Sequence, residues 1–365
     1  MSGPGSGGGA LVAVQPLSIK LRILSDGLAG HEAQTLGVAE ALGLVPEIRR
    51  VNPRLPFAAL APFGPIDPRE SPRFPGSPVG PPWPDMAFAS GRRTLPYLRR
   101  LKRESGRRVF TVYFNAPANG RTAADLIIAP MHDGLFGRNV ATPLTPPNRI
   151  SAERLASARR TPDPRVASLQ KPRAALLIGG DNRHFRFRPP DAMALADIVR
   201  ALFAQGYSVM ATASRRTPRF VAEAAEAALR EGGGWLWDGE GENPYLSMLA
   251  SADVVVVTAD SVNMVGEAAA TGAPVYIFAP IGGHRKIADY LARLERLGAV
   301  RPWRGVVESW RHEPVNSTDS IAASILKAYE IFRGLTPPLP PMRDDEDEED
   351  VEDGEDDDCD AGHND

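Results

Sequence analysis

The sequence predicts an α/β protein built from two parallel-sheet domains, and three observations carry that expectation. Short β-branched or apolar runs recur, each followed by a turn of Gly, Ser, Thr, Asp or Arg and then a helical stretch, which is the order of a parallel sheet with helical crossovers. The pattern starts afresh at Ala174, after a stretch of Pro, Arg and Ser. The 365 residues are enough for two domains that each bury a core. The expected organisation is a disordered segment 1–17, a first domain 18–150 with a Pro-rich loop 53–84, a linker 151–172, a second domain 173–335, and a Pro hinge with an acidic disordered tail over 336–365.

In the first domain, Ile19–Leu24 reads as a strand and residues 33–42 as a helix ending at Gly43. Between them lies Ser25-Asp26-Gly27-Leu28-Ala29-Gly30-His31-Glu32. Gly27 and Gly30 allow a tight bend close to a ligand, and His31 at the helix start is placed to act as a base or donor, although an ordinary capped turn has the same look. Residues 53–84 carry prolines every few positions and no periodicity beyond a possible turn at Phe57–Leu60. Asp85–Ala89 is the next strand, and Ser90-Gly91-Arg92-Arg93-Thr94 follows it; Arg92 and Arg93 there suit an anion or plain solvent. Val109–Phe114 and Leu126–Ala129 complete the expected strands, the last leading to His132, with Asp133 beside it to orient or charge the ring. Histidines without regular ligand spacing do not make a metal site, and none is expected.

In the second domain, Ala174–Ile178 precedes Gly179-Gly180-Asp181-Asn182, Tyr207–Ala211 precedes Ser214-Arg215-Arg216, and helices are expected over Asp191–Gln205 and Pro218–Arg230. The clearest unit runs from Ala252 to Pro280: strand Val254–Val257, turn Thr258-Ala259-Asp260-Ser261, an Ala/Gly-rich helix, and strand Val275–Phe278. A helix start at a strand's carboxyl end favours phosphate. Glu267 lies six residues after Ser261, roughly 9 Å along the axis at about 1.5 Å per residue. Phosphate at Thr258, Asp260 and Ser261 with Glu267 accepting from ribose hydroxyls would hold a nucleotide; a lone surface Glu on a core helix is the alternative. After Pro280, the basic triplet His284-Arg285-Lys286 is either a diphosphate neutraliser or solvated charge. Ile321–Phe332 is the last helix.

The net charge of −3 conceals two regions. Of 45 acidic residues, 15 lie in Asp344–Asp365, leaving 30 against 42 Lys and Arg in the body, an excess of 12. A basic body suits phosphorylated or membrane-associated substrates, whereas an acidic tail is ordinarily solvated and disordered. The N-terminal MSGPGSGGGA lacks signal-peptide character, and no apolar run approaches the roughly 20 residues of a spanning helix. With a single cysteine, Cys359, the expected setting is cytoplasmic, with peripheral contact at an inner membrane allowed.

Piecewise, the turns resemble those of the peptidoglycan-lipid N-acetylglucosaminyltransferase: Gly27-x-x-Gly30-His31, Gly179-Gly180, Thr258-x-x-Ser261 to Glu267-Ala268, and Gly272-x-Pro274. A fuller resemblance, over most of residues 19–333, is to the mitochondrial-fission Elm-type family of plants and bacteria, through SDGLAGHEAQ, SGRRT, HDG, IGGDN, SRRTP, NPY and TADSVNMVGEAAATGAPVY. This resemblance implies a GT-B-like fold, two Rossmann-type domains facing a cleft. It also implies two functions. One is a bacterial glycosyltransferase whose co-substrate is a nucleotide-diphosphate sugar and whose acceptor is lipid-linked or part of the envelope, with no further cofactor and no nucleic-acid partner. Gly179, Gly180, Ser214, Arg215, Arg216, Thr258, Asp260, Ser261 and Glu267 would hold the donor; Gly27, Gly30, Arg92, Arg93 and His132 would face the acceptor; His31 or Asp26 would take its proton. The other is a non-catalytic adaptor, since the plant members are described as helping to recruit a dynamin-type fission protein. The absence of G-x-G-x-x-G in the first turn gives no support to an NAD-dependent epimerase.

Overall fold

Buried β-branched and aromatic runs assemble into two six-stranded sheets in which every strand pair is parallel. The computed structural model describes residues 19–117 and 122–335; the expectations for 1–17 and 336–365 lie outside the described residues. The first half comprises β1 (Leu21–Ser25), α1 (Ala29–Ala41), β2 (Glu47–Arg50), α2 (Leu55–Leu60), β3 (Met86–Ser90), α3 (Leu95–Glu104), β4 (Phe110–Phe114), β5 (Leu126–Ile128) and β6 (Val140–Ala141). Its strand order is β2-β1-β3-β4-β5-β6.

The second half opens with α4 (Ala152–Arg160) and α5 (Pro164–Ala167), inside the stretch expected to be a linker, and α4 packs on α8. Its strands and helices alternate as β7 (Arg173–Ile178), α6 (Pro189–Ala204), β8 (Ser208–Ala213), α7 (Arg219–Glu231), β9 (Trp235–Trp237), α8 (Tyr245–Ser251), β10 (Val254–Thr258), α9 (Val262–Ala269), β11 (Val275–Phe278), α10 (Arg285–Arg296) and β12 (Val300–Pro302). The order β12-β11-β10-β7-β8-β9 is that of a dinucleotide-binding sheet read from its far edge, and it reverses direction between β7 and β10. In the first half the reversal falls between β1 and β3. Ligands of open α/β sheets sit at such switch points, outside the strand carboxyl ends, and the turns singled out above lie there. Two Rossmann-type sheets in one chain make the architecture GT-B-like.

The Pro-rich segment is ordered by arginine. Proline offers a carbonyl and no N–H, so a Pro-rich chain needs donors from elsewhere. Arg22, fully buried in β1, supplies them: Nη1 donates to the Gly80 carbonyl and Nη2 to that of Pro82, each at 2.8 Å, while Nε donates to Glu47. Arg54 grips Asp67 with two hydrogen bonds of 2.8 and 2.7 Å. Where only a turn was expected at Phe57–Leu60, the short helix α2 forms.

The last helix among the described residues, α11 (Thr318–Phe332), follows the second half in sequence but packs on the first. Ile321, Ala322, Ile325 and Tyr329 join Leu21, Ile23, Phe88 and Phe110 in one core. The two segments that cross between halves are tied side by side: Thr145 and Ser317 exchange hydrogen bonds of 3.0–3.1 Å, and Asn148 N–H donates to Thr318 Oγ1 at 3.0 Å.

Candidate functional site

In the first half, β1 ends in a turn that reverses through Gly27 at φ +78°, a conformation glycine adopts without strain. The turn folds Asp26 back onto α1, where both carboxylate oxygens lie 3.0–3.1 Å from His31 Nδ1. Asp26 is buried, with a side chain 5% exposed, whereas the His31 ring is 29% exposed. Burial pushes the Asp26 carboxyl up, but the His31 hydrogen bond and charge and the Leu28 N–H together outweigh it and hold the pKa below its usual value. An ionised Asp26 that accepts from Nδ1–H leaves Nε2 as a lone-pair base, the arrangement general-base catalysis requires. Gly91, at φ +90°, makes room for this pair: a Cβ there would collide with Asp26 Oδ2 and the His31 ring. Asp26, Leu28, His31, Arg92 and Arg93 line a cavity of about 270 Å³, with both arginine side chains exposed.

Gly30 was expected to bring the backbone close to a ligand; what it approaches is the other half. A Cβ at Gly30 would lie 3.0 Å from Asn263 Nδ2, and Gln34 Nε2 donates to Asn263 Oδ1 at 3.2 Å. Gln34 is itself held by Asn115 and Ser90 at the ends of β4 and β3. Asn115 has φ +79°, unusual for a residue with a side chain and characteristic of functional corners. The start of α1, with its Asp–His pair, thus abuts the start of α9.

In the second half, Gly179 N–H donates to Thr258 Oγ1 and Gly180 N–H to Asp260 Oδ2, both at 2.8 Å, while Thr258 Oγ1 donates to Asp260 Oδ1 at 2.6 Å. A side chain on Gly179 would strike the Asp260 carboxylate, and one on Gly180 the Arg216 backbone. Thr258 and Asp260, expected to face a nucleotide, are buried and spend these polar atoms on one another and on the glycine turn, so they shape the switch point. Burial raises the Asp260 pKa against its hydrogen bonds to Thr258 and Gly180 and the charge of Arg216. Ser214 Oγ accepts from Arg216 N–H at 3.2 Å, and Arg215 and Arg216 project outward. Ser261 caps α9 by accepting from Met264 N–H. Glu267 accepts from the Tyr245 hydroxyl through Oε2 at 2.6 Å; burial pushes its carboxyl up to about 7, with the Tyr245 bond opposing.

His132 departs from expectation. Its Nδ1 is buried without a partner, the ring lies against Tyr290 at 5.1 Å, and Asp133 does not bond it; the Asp133 carbonyl instead receives Lys286 Nζ of the second half at 3.0 Å. Burial lowers the His132 pKa, Asp133 opposes and Lys286 adds to the lowering, so the ring belongs to the joint between halves and is not charged by its neighbour. Sequence reasoning missed Gly91, Gln34, Asn115 and Asn263 as site residues. The resemblance strings SDGLAGHEAQ, SGRRT and TADSVNMVGEAAATGAPVY contain three of them, Gln34, Gly91 and Asn263, but nothing in a linear pattern marks which polar residues meet across a cleft.

Two switch points, one with an Asp–His pair and one with a glycine turn and a capped helix, meeting across a joint, define a GT-B-like two-domain α/β protein. The chain belongs to the Mitochondrial fission ELM1 family, whose pattern matches residues 29–329. It is 30% identical over 272 residues to the mitochondrial fission protein ELM1 of Arabidopsis thaliana, an alignment covering 66% of this chain and 63% of that protein. It therefore spans less than two thirds of that relative's length. It is 26% identical over 289 residues to the uncharacterized protein RP120 of Rickettsia prowazekii, covering 68% of this chain and 80% of the relative. Among solved structures, a UDP-GlcNAc 2-epimerase of Methanocaldococcus jannaschii superposes with a TM-score of 0.49 at 12% identity, over 87% of this chain and 99% of that one. Among the described residues no helix is long and apolar enough to cross a membrane.

Proposed function

We propose that the protein transfers a glycosyl group from a nucleotide-diphosphate sugar to a hydroxyl of a lipid-linked or envelope acceptor at the joint between its halves. The observation that carries this reading is the Asp26–His31 pair, whose half-buried ring is oriented by a buried carboxylate and seated in a cavity with Arg92 and Arg93. His31 Nε2 takes the acceptor proton; the arginines hold an anionic acceptor group. On the other side, Glu267 Oε1 accepts from ribose while Tyr245 positions the carboxylate through Oε2, and Arg215 and Arg216 with the start of α9 stabilise the departing diphosphate. The chemistry takes place beside the cytoplasmic face of a membrane, which the basic body approaches peripherally.

A second reading is favoured by one observation: Thr258 and Asp260 are fully engaged within the fold. A scaffold that keeps the turn for its shape alone would serve as an adaptor, in line with the fission role in the name of the Arabidopsis relative. Thermal unfolding with uridine, guanosine and adenosine diphosphates separates the two. As a transferase the protein is stabilised by one of them, loses the effect in Glu267→Ala and keeps it in His31→Ala, and it releases that diphosphate from the matching sugar nucleotide when acceptor is present. No stabilisation by any nucleotide rejects the donor site and leaves the adaptor.

A further inference from the structure

The turns after β7 and β11 are stitched together. Phe185 and Gly282 form an isolated antiparallel bridge, and Gly283 N–H donates to the His184 carbonyl at 2.9 Å. Gly282, at φ +124°, passes so near that carbonyl that a Cβ would lie 2.6 Å from it. The stitch sets His184 and His284 ring to ring, centroids 4.2 Å apart and planes tilted by 42°.

The protons of this pair are fixed by its neighbours. Arg183 Nε donates to His184 Nε2 at 2.7 Å, so His184 carries its proton on Nδ1; Lys286 N–H donates to His284 Nδ1 at 3.2 Å, so His284 carries its proton on Nε2. Both acceptor nitrogens are taken, which leaves no lone pair for a metal ion and two N–H donors for an anion. The surrounding charge agrees. Arg183, Arg285 and Lys286 flank the two rings in sequence; Arg285 lies 3.8 Å from Asp289 and Lys286 3.9 Å from Asp133, while Asp181 and Asp191, in and beside the same turns, accept from the Phe187 and Ile281 N–H groups. Among the described residues no carboxylate bonds either ring or Arg183. Burial, with the charges of His284, Arg183 and Lys286 adding to it, holds His184 below its ordinary pKa.

We propose that the His184–His284 pair, with Arg183, Arg285 and Lys286, binds a phosphate or diphosphate group. Its place at the carboxyl ends of β7 and β11, on either side of β10, puts it at the ligand-bearing edge of the sheet. Where the phosphate belongs to a nucleotide sugar, the inference deepens the reading above; where it is free, it stands alone. Calorimetric titration of the whole chain with inorganic pyrophosphate and with uridine, guanosine and adenosine diphosphates is the test. Binding weakens about tenfold or more in the His184→Gln/His284→Asn double variant, as expected when charged hydrogen bonds to a ligand are lost. Asn at 284 can still accept from the Lys286 N–H, so α10 keeps its cap. Pyrophosphate binding as tight as that of the nucleotides makes the ligand a free phosphate group; binding of nucleotides alone makes it part of a nucleotide. In the unaltered protein, the nitrogen-15 signals of the two donor nitrogens, His184 Nδ1 and His284 Nε2, shift on adding the bound ligand. Equal affinity in the double variant, unmoved ring signals or no binding of any of the four compounds overturns the proposal. Pair-dependent pyrophosphate binding in a protein that transfers no sugar would leave this inference standing and remove the transferase; sugar transfer indifferent to the double variant would do the reverse.

Discussion

Asp26, in the turn before α1, and Glu267, inside α9, are both carboxylates of the candidate site, and their environments separate them. Asp26 is held ionised by His31, so Asp26→Asn removes the charge that selects the His31 tautomer while keeping its volume. Transfer should fall by roughly 10²–10⁴-fold with nucleotide affinity unchanged, measured as diphosphate release against calorimetric binding. Glu267 is the opposite case, raised from 4.5 to about 7 by burial. The unfolded chain gives up this proton as pH rises through about 4.5, whereas the folded protein keeps it to about 7, so stability is complete below the lower value and declines across that window. The decline is of the order of 3 kcal/mol, read from denaturant unfolding at about pH 5 and about pH 8. Glu267→Gln, which can still accept from Tyr245, removes most of the decline; an unchanged slope in that variant would place the proton elsewhere.

At the scale of elements, what was legible in the sequence had both faces buried. β10, α9 and β11 could be read because Val254–Val257 and Val275–Ile277 are buried on both sides and therefore carry continuous apolar runs. The edge strands of the first sheet were not legible: β2 is Glu-Ile-Arg-Arg, largely exposed, and β6 is two residues long. Nor was the helical content of 151–172, where α4 buries a single leucine, Leu155, beneath a charged surface. The Pro-rich segment defeated pattern reading because its order comes from Arg22, a residue that reads as a polar break in a strand. Arg22→Met keeps much of the packing and leaves the Gly80 and Pro82 carbonyls without their donor. A loss of about 3–5 kcal/mol is expected, with proteolytic cleavage appearing within residues 53–84; cleavage unchanged from the parent protein would show that other contacts suffice.

At the scale of the molecule, sequence order and spatial order disagree at α11, which a linear reading assigns to the second half because it follows β12. Helical periodicity shows an apolar face and cannot show which sheet it covers. Ile325, fully buried against the first sheet, reports the difference: Ile325→Ala should cost about 2–5 kcal/mol and lower hydrogen-exchange protection in β1 and β4 more than in β10. Loss centred on β10 would contradict the packing. The candidate site is composite in the same sense. Its turns were each visible in sequence, yet the contact of Gly30 and Gln34 with Asn263 depends on how two folded halves meet.

The return of α11 also orders events on the ribosome. The strands of the first sheet leave the exit tunnel early, but Ile321, Ile325 and Tyr329, which cover one of its faces, leave only after every strand of the second sheet has been synthesised. A nascent chain stalled anywhere between β6 and α11 therefore displays Phe110, which packs on Tyr329 and Phe332, to solvent or to a chaperone, and the first half reaches its final stability only when α11 is released.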